Sequence, residues 1–399
     1  MPRDRTSTHA PVDQWRSFAH DLGEAGAAVH ERADPDRTPD EQEQVTTALL
    51  WTLLAAVTAL PSRNPDFPEF TPILNPSMRP VAANVDTTYL GAGIRGGGTY
   101  RITGRRGTVR IVHLQVIAGT LGSDRPIRVL ADINLDQCHI DDDGWVDILL
   151  SPDRPEGHVG DWFPVDASFE DGFVTLRQIS YDWLTEVDAA LAIERIDRSP
   201  AAAHTPGAVL RSLPRIAEYV GKEPMRFMDV QDDQSRRLAP NELMEVGQRL
   251  PGAMAGQAYM HGLIRIEPDR AWIADWEPPA DSPYWGVQLL DYFYNTLDVV
   301  RTQASLNGSQ AAPDSDGRIR IVVAGSDPGV RNWLDTSKLD RVQIRIRFYA
   351  ADQPRIATTV VPLDRLGEHL PADIAMVTPA ERRESLRARA IGLQLRRRW

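Results

Sequence analysis

Hydrophobic positions along the chain follow two rhythms. Trp15, Phe18, Leu22, Ala25 and Val29 recur every three or four residues, the spacing of a helix with one apolar stripe. A second helix is expected to open at Thr38, because Pro39 stands at the first helical position and Glu41 completes a capping box; it runs through Val45, Leu49, Leu53 and Ala56 to Pro61. From Asn75 the period shortens to two. Residues 99–103, 109–116, 127–130, 145–150 and 173–179 read as strands, divided by glycine-rich turns at 104–107 and by Asp143-Gly144 and Asp171-Gly172, Asp-Gly pairs of the kind that form type I′ hairpins. Helical spacing returns over 181–259, with Thr205-Pro206 as a cap, Val209, Leu213, Ile216 and Val220 on one face, and a polar loop at 229–237. Strands resume at 262–267, 318–324, 342–349 and 358–361 around an Asp316-Gly317 turn, and Thr378, Pro379 and Glu381 repeat the capping box before a last helix.

This pattern divides the chain into an N-terminal helical segment (1–74), a first β block (75–200), a helical insertion (201–260), a second β block (261–378) and a basic C-terminal helix (379–399). The class is mainly β with α additions. Each block alone offers few alternating strands, so one β-sandwich built from both is expected, with the N-terminal helices packed outside. The last helix carries Arg382, Arg383, Arg387, Arg389, Arg396, Arg397 and Arg398 and is expected to dock on an acidic surface of its own or a partner subunit.

Composition narrows the function. With 42% hydrophobic and 25% charged residues over 399 positions, the chain has globular proportions and room for two domains. A single cysteine, Cys138, excludes a disulfide scaffold and any multi-thiolate metal site. A net charge of −12 argues against nucleic acid as a partner. The longest apolar stretch, 48–60, is too short to cross a bilayer, and the polar first ten residues lack the order of a signal peptide, so a cytoplasmic protein without membrane insertion is expected.

Local motifs are mostly negative. Gly91, Gly93 and Gly96 have dinucleotide-loop spacing, but a strand follows where a helix must open, which leaves a flexible β-turn. Asp141, Asp142 and Asp143 lack the alternation of a calcium loop and read as a hairpin tip. No zincin, serine-hydrolase or P-loop motif is present, and no cofactor or metal is expected. On 109–116, alternation puts His113 and Gln115 on a face with Val109 and Ile111; they either reach a cavity or satisfy one another in the core. Arg177 and Tyr181 share a face and could clamp a carboxylate or phosphate, or Arg177 could pair with Asp182 or Glu186. Arg345 and Arg347, and likewise Arg318 and Arg320, alternate along strands whose polar faces are expected to meet solvent.

Around Tyr284-Trp285, Ser305-Leu306-Asn307, Asp316-Gly317 and Asn332-Trp333-Leu334-Asp335 the chain resembles the domain-of-unknown-function family 1214, and Asn84-Val85-Asp86-Thr87-Thr88-Tyr89 and the 178–186 stretch are similar to its upstream motifs. The resemblance spans roughly 75–200 and 260–365. It implies a jelly-roll-like β-sandwich carrying helices, and no agreed reaction. Read from the residues themselves, a pocket is expected where the 84–89 loop meets the 332–335 loop. Asn84, Arg177, Tyr181, Trp285, Asn332, Trp333 and Asp335 would bind the ligand there, and Asp86, Tyr89 or His113 would supply acid/base chemistry. The alternative makes Trp285 and Trp333 core plugs and the Asn and Asp residues turn caps. The leading function is an enzyme of lyase, isomerase or cyclase type acting on a small, largely apolar metabolite with an anionic or hydroxylated end. A non-catalytic carbohydrate- or lipid-binding module and a magnesium-dependent prenyl-diphosphate enzyme are the alternatives, and a homo-oligomer stays open.

Overall fold

The computed structural model describes residues 10–33, 38–60, 63–74, 82–119, 127–198, 208–246 and 254–396. Two helices open it, α1 (Ala10–Arg32) and α2 (Pro39–Ala59). The capping box of α2 forms as expected: the Glu41 N–H donates to the Thr38 hydroxyl, and Glu41 returns its carboxylate to the Thr38 N–H.

The first β block builds two sheets of its own. One has the order β1 (Thr71–Leu74), β2 (Thr87–Ile94), β8 (Gly172–Ile179), β4 (Ile111–Ala118), β5 (Arg128–Asn134); the other runs β7 (Asp161–Pro164), β6 (Trp145–Ser151), β3 (Tyr100–Arg105), β9 (Ala190–Arg195). Val112, Leu114 and Val116 of β4 and Val174 and Leu176 of β8 turn inward against Ile102 and Ile148 of the second sheet, giving this sandwich its own core.

The second block repeats the design. Its five-stranded sheet is β10 (Met244–Val246), β11 (Gln257–Arg265), β17 (Arg341–Tyr349), β13 (Tyr284–Leu290), β14 (Ser305–Asn307), and its four-stranded sheet is β16 (Trp333–Asp335), β15 (Ile319–Ala324), β12 (Arg270–Trp276), β18 (Ala357–Pro362). Ile344, Ile346 and Phe348 of β17 pack against Trp272 and Trp276. The expectation of one sandwich from both blocks is therefore wrong: no described strand of one block pairs with a strand of the other. Strands that the alternation did not reveal, β2, β9 and β12 among them, complete each pair of sheets.

The two five-stranded sheets turn their outer faces toward each other. His113 of β4 reaches Tyr349 of β17, and Asn84, just before β2, reaches Tyr284 of β13. This is why all eight residues of β4 are buried: one face meets its own core and the other meets the second sandwich.

Helix α3 (Ala208–Arg237) continues through 229–237, where a loop was expected, because Met228 packs with Val29 and Val45 and so draws this turn onto α1 and α2. The Thr205-Pro206 cap lies outside the described residues. The last helix, α4 (Pro379–Leu395), starts with the expected capping box. Arg382 and Arg389 of this helix and Arg396 just past its end recur every seven residues, and all three are buried. Arg382 holds Asp327 and Arg396 holds Asp188, so the basic helix docks on acidic groups of its own chain.

The Asp-Gly turns differ from type I′. Gly144 and Gly317 adopt positive φ while Asp143 and Asp316 do not, and Gly172 simply begins β8. The glycine run at 91–96 is mostly strand: Gly91 faces Thr175 and Gly93 faces Phe173 across the β2–β8 ladder. A Cβ on Gly93 would stand 3.0 Å from the Arg63 backbone, so the missing side chain serves close packing and not a flexible turn.

Candidate functional site

Strand alternation supplies the site. On β8, Val174 and Leu176 enter the core, leaving Phe173, Thr175, Arg177 and Ile179 on the face that looks at the second sandwich. On β17, Ile344 and Ile346 enter the other core and leave Arg345 and Arg347 facing back. Between them lies a cavity of about 200 Å³. Asn84, Thr87 and Tyr89 border it from the β2 side, and Gln257 and Tyr259 from β11. Helix α3 contributes Glu223, Arg226, Phe227 and Val230, one face at three- and four-residue spacing. Ile117, Phe173, Ile179, Phe227 and Met254 make the apolar wall.

Arg345 and Arg347 were expected to meet solvent, yet each is only 4% exposed. Alternation assigns a polar face to a strand but not its neighbour, and here the neighbour is another sandwich. Arg347 donates to the Gln288 amide oxygen at 2.9 Å and to the Ala82 carbonyl at 2.7 Å. Arg345 lies 5.7 Å from the ring centre of Tyr294 and 6.0 Å from that of Tyr259, and its Nε has no hydrogen-bond partner among the described residues. Among the described residues neither guanidinium meets a carboxylate. Burial pulls the Arg345 pKa down, and the Arg347 charge adds to the effect. Glu223, which also lines the cavity, is held by Arg226 at 2.7 Å. Arg177 donates to the Gln115 amide oxygen at 3.0 Å. Burial raises the Tyr259 pKa, against the opposing charges of Arg347, Arg177 and Arg345.

Backbone strain marks the same place. Ala82 and Tyr294 both border the cavity at positive φ, 55° and 63°, and the Ala82 N–H donates to the Tyr294 carbonyl at 2.7 Å. Such conformations cost about 1–3 kcal/mol each and persist only where their surroundings impose them.

Of the expected site residues, Asn84, Tyr89 and Arg177 line this cavity. The Tyr89 hydroxyl accepts the Asn84 backbone N–H at 3.1 Å. Asp86 turns away into a buried knot, where its carboxylate accepts from the Trp183 indole at 2.7 Å, the Asn307 amide at 2.9 Å and the Tyr284 hydroxyl at 2.7 Å. Burial raises its pKa and the three donors oppose the shift. His113 is satisfied on both sides, by Asp132 at Nδ1 and Tyr349 at Nε2, each at 2.6 Å. It fastens one sandwich to the other, which is the structural reading of that residue.

The convergence expected of the other residues does not occur. Trp285 is a core plug set edge-on against Trp276. Tyr181 lies beyond the end of β8, under the Arg110 guanidinium at 4.8 Å, so it forms no clamp with Arg177. Asn332 brackets Ala312 through both its carbonyl and its amide, and Asp335 accepts the Ser337 N–H. Trp333 donates to the Ala324 carbonyl within a separate cluster on the far side of the four-stranded sheet. These three are held in the outer layer of the second sandwich, away from the facing sheets. Arg345, Arg347, Tyr259 and the α3 residues were missed as site groups. Their signal was present in the alternation of β17 and in the helical spacing of 223–230.

Other hollows among the described residues are larger, including one of about 590 Å³ at Arg101, Trp145 and His158 of the first sandwich. Another, of about 940 Å³ between 245–246, 279–281 and 350–353, has no buried side chain in its lining. A third, about 530 Å³ along α4, includes Arg382 and Arg389, which already bond Asp327, Gln303, Ser305 and Gln310. No group of three or more His, Cys, Asp or Glu side chains suited to a metal ion occurs among the described residues, and no described helix is long and apolar enough to cross a membrane.

One known structure agrees with the architecture. An uncharacterized protein from Burkholderia cenocepacia is similar over 88% of this chain and 97% of its own, at 28% identity and a TM-score of 0.80. A Vibrio parahaemolyticus protein is matched over 78% of this chain and all of its own, at 12% identity and a TM-score of 0.43. No curated protein matches the chain. Residues 273–353, from within β12 to just past β17, match the model of a protein family of unknown function, DUF1214. The motifs at Tyr284-Trp285, Asp316-Gly317 and Asn332-Trp333 fall inside that span, so the segment that carries the expected resemblance is the one the family model matches.

Proposed function

We propose that the protein binds a small metabolite in the cavity between its two sandwiches, a molecule with an anionic end and a largely apolar body. One observation carries this reading: Arg345 and Arg347 are buried side by side without a carboxylate among the described residues. Arginine stays protonated in proteins, and an unpaired charge out of water costs several kcal/mol. An anion in the cavity offsets that cost, and the apolar wall of Ile117, Phe173, Ile179, Phe227 and Met254 takes the rest of the molecule. At about 200 Å³ the space suits a small metabolite better than a lipid or an oligosaccharide.

Enzymatic turnover by a lyase, isomerase or cyclase mechanism is the second reading, and Tyr89 favours it. It alone of the three expected acid/base residues lines the cavity, while Asp86 and His113 are engaged elsewhere. In that case the arginines hold the anionic end and the Tyr89 hydroxyl exchanges the proton.

Ligand-observed NMR with a panel of small carboxylic acids and the matching amides tests the proposal. Acids should bind, amides should not, and Arg345→Gln should remove binding while leaving the melt cooperative. Equal binding of acids and amides would overturn it.

A further inference from the structure

Resting on that reading, we infer that the ligand is a dianion with its two negative groups at separate ends, a short dicarboxylate. The argument is one of charge and spacing. Two buried guanidiniums face the cavity, while the half-buried Arg177 beside them is bonded to Gln115, and a single negative charge would neutralise one of the buried pair and leave the other uncompensated.

The two side chains spring from separate points on the strand. Arg345 and Arg347 stand two residues from each other on one face of β17, about 6.6 Å along the strand at the usual rise. Their anchors differ as well. The Gln288 and Ala82 oxygens fix Arg347 and occupy two of its five N–H donors, leaving three to meet an anion. Arg345 is flanked by the Tyr259 and Tyr294 rings, and its Nε–H has no partner among the described residues. A phosphate concentrates its charge at one centre and fits one fork; two carboxylates joined by a short chain can each take one arginine in the planar geometry that guanidinium favours.

Volume and wall agree with this choice. About 200 Å³ equals the liquid volume of roughly seven waters, near the size of a dicarboxylate of about five carbons. Phe227 and Val230 of α3 and Ile179 of β8 offer methylene groups an apolar surface. Glu223 is already neutralised by Arg226 and does not stand in for the second carboxylate.

Isothermal titration of the full-length chain near neutral pH, with pentanedioate, pentanoate and inorganic phosphate as probes, tests the inference. Pentanedioate should bind at least about ten-fold more tightly than either other probe, and Arg347→Gln should reduce that preference over pentanoate to about two-fold or less. Because the three-probe comparison uses the unaltered chain, it stands even if the variant fails to fold. Pentanoate binding as tightly as pentanedioate would overturn the dianion and leave the anion cavity intact. Phosphate binding most tightly would overturn the two-centre geometry alone. Failure of all three to bind would count against the dianion and the cavity reading together.

Discussion

Replacing Asp86 by Asn and by Ala separates a structural carboxylate from a catalytic one. Oδ1 of Asp86 accepts both donors that cannot reverse, the Trp183 indole and the Asn307 amide, whereas Oδ2 meets only the Tyr284 hydroxyl. In Asp86→Asn the retained oxygen keeps the first two bonds, and the new amide faces a hydroxyl that can turn and accept. The stability change should stay within about 1 kcal/mol. Asp86→Ala strands the buried Trp183 indole and takes one acceptor from the Tyr284 hydroxyl and the Asn307 amide, which keep Asn84 and the Tyr181 carbonyl; at about 1–3 kcal/mol per stranded donor a loss of about 2–4 kcal/mol is expected. Urea unfolding followed by tryptophan fluorescence suits the test, since Trp183, Trp272, Trp276, Trp285 and Trp333 are all buried and are exposed on unfolding.

The pH dependence has a definite sign. Burial raises the folded pKa of Asp86 above the ordinary 3.8, so protonation favours the folded chain; that contribution is full below 3.8 and is lost as pH rises through the folded value. Asp86→Asn cannot titrate. The wild type should therefore lose stability relative to this variant as pH climbs above about 4. Equal stability losses in the Asn and Ala variants, or a loss of ligand binding in Asp86→Asn with stability intact, would refute the assignment.

Three further outcomes follow from contacts between the parts of the fold. Arg396→Ala removes a guanidinium that bonds the Asp86 and Gln178 carbonyls, the Thr88 hydroxyl and Asp188, and should cost about 3–5 kcal/mol by leaving Asp188 buried and unpaired; an unchanged urea midpoint would contradict the docking of α4. Tyr349→Phe takes away the Nε2 partner of His113 and should lower stability by about 1–2 kcal/mol, measured in the same way, if that bond ties the sandwiches together. Gly93→Ala should cost about 1–3 kcal/mol because the Arg63 backbone occupies the space a Cβ needs, and a neutral result would restore the view of this segment as a loose turn.

Features that depend on neighbours along the chain were legible in the residues. The capping boxes at Thr38 and Thr378 are local hydrogen-bond arrangements, and both form where the residues place them. Alternation found β4, β8 and β17 and correctly separated Val112, Leu114 and Val116 from His113 and Gln115. The motifs at Tyr284-Trp285 and Asn332-Trp333 located the family segment. A strand's two faces, however, say nothing about what covers them. Arg345 and Arg347 read as solvent-facing because an exposed polar face and one buried against a second sheet have the same periodicity. Only the tertiary structure set the β17 face against β8, closed the gap with α3, and left two guanidiniums there without a carboxylate among the described residues. Asp86 and His113 failed as site groups for a related reason: their chemistry was legible, but Trp183, Asn307, Tyr284 and Tyr349, which occupy it, lie about 100 to 240 positions away in the chain. Partners at that separation are fixed by packing between sandwiches, a three-dimensional condition that no local spacing encodes.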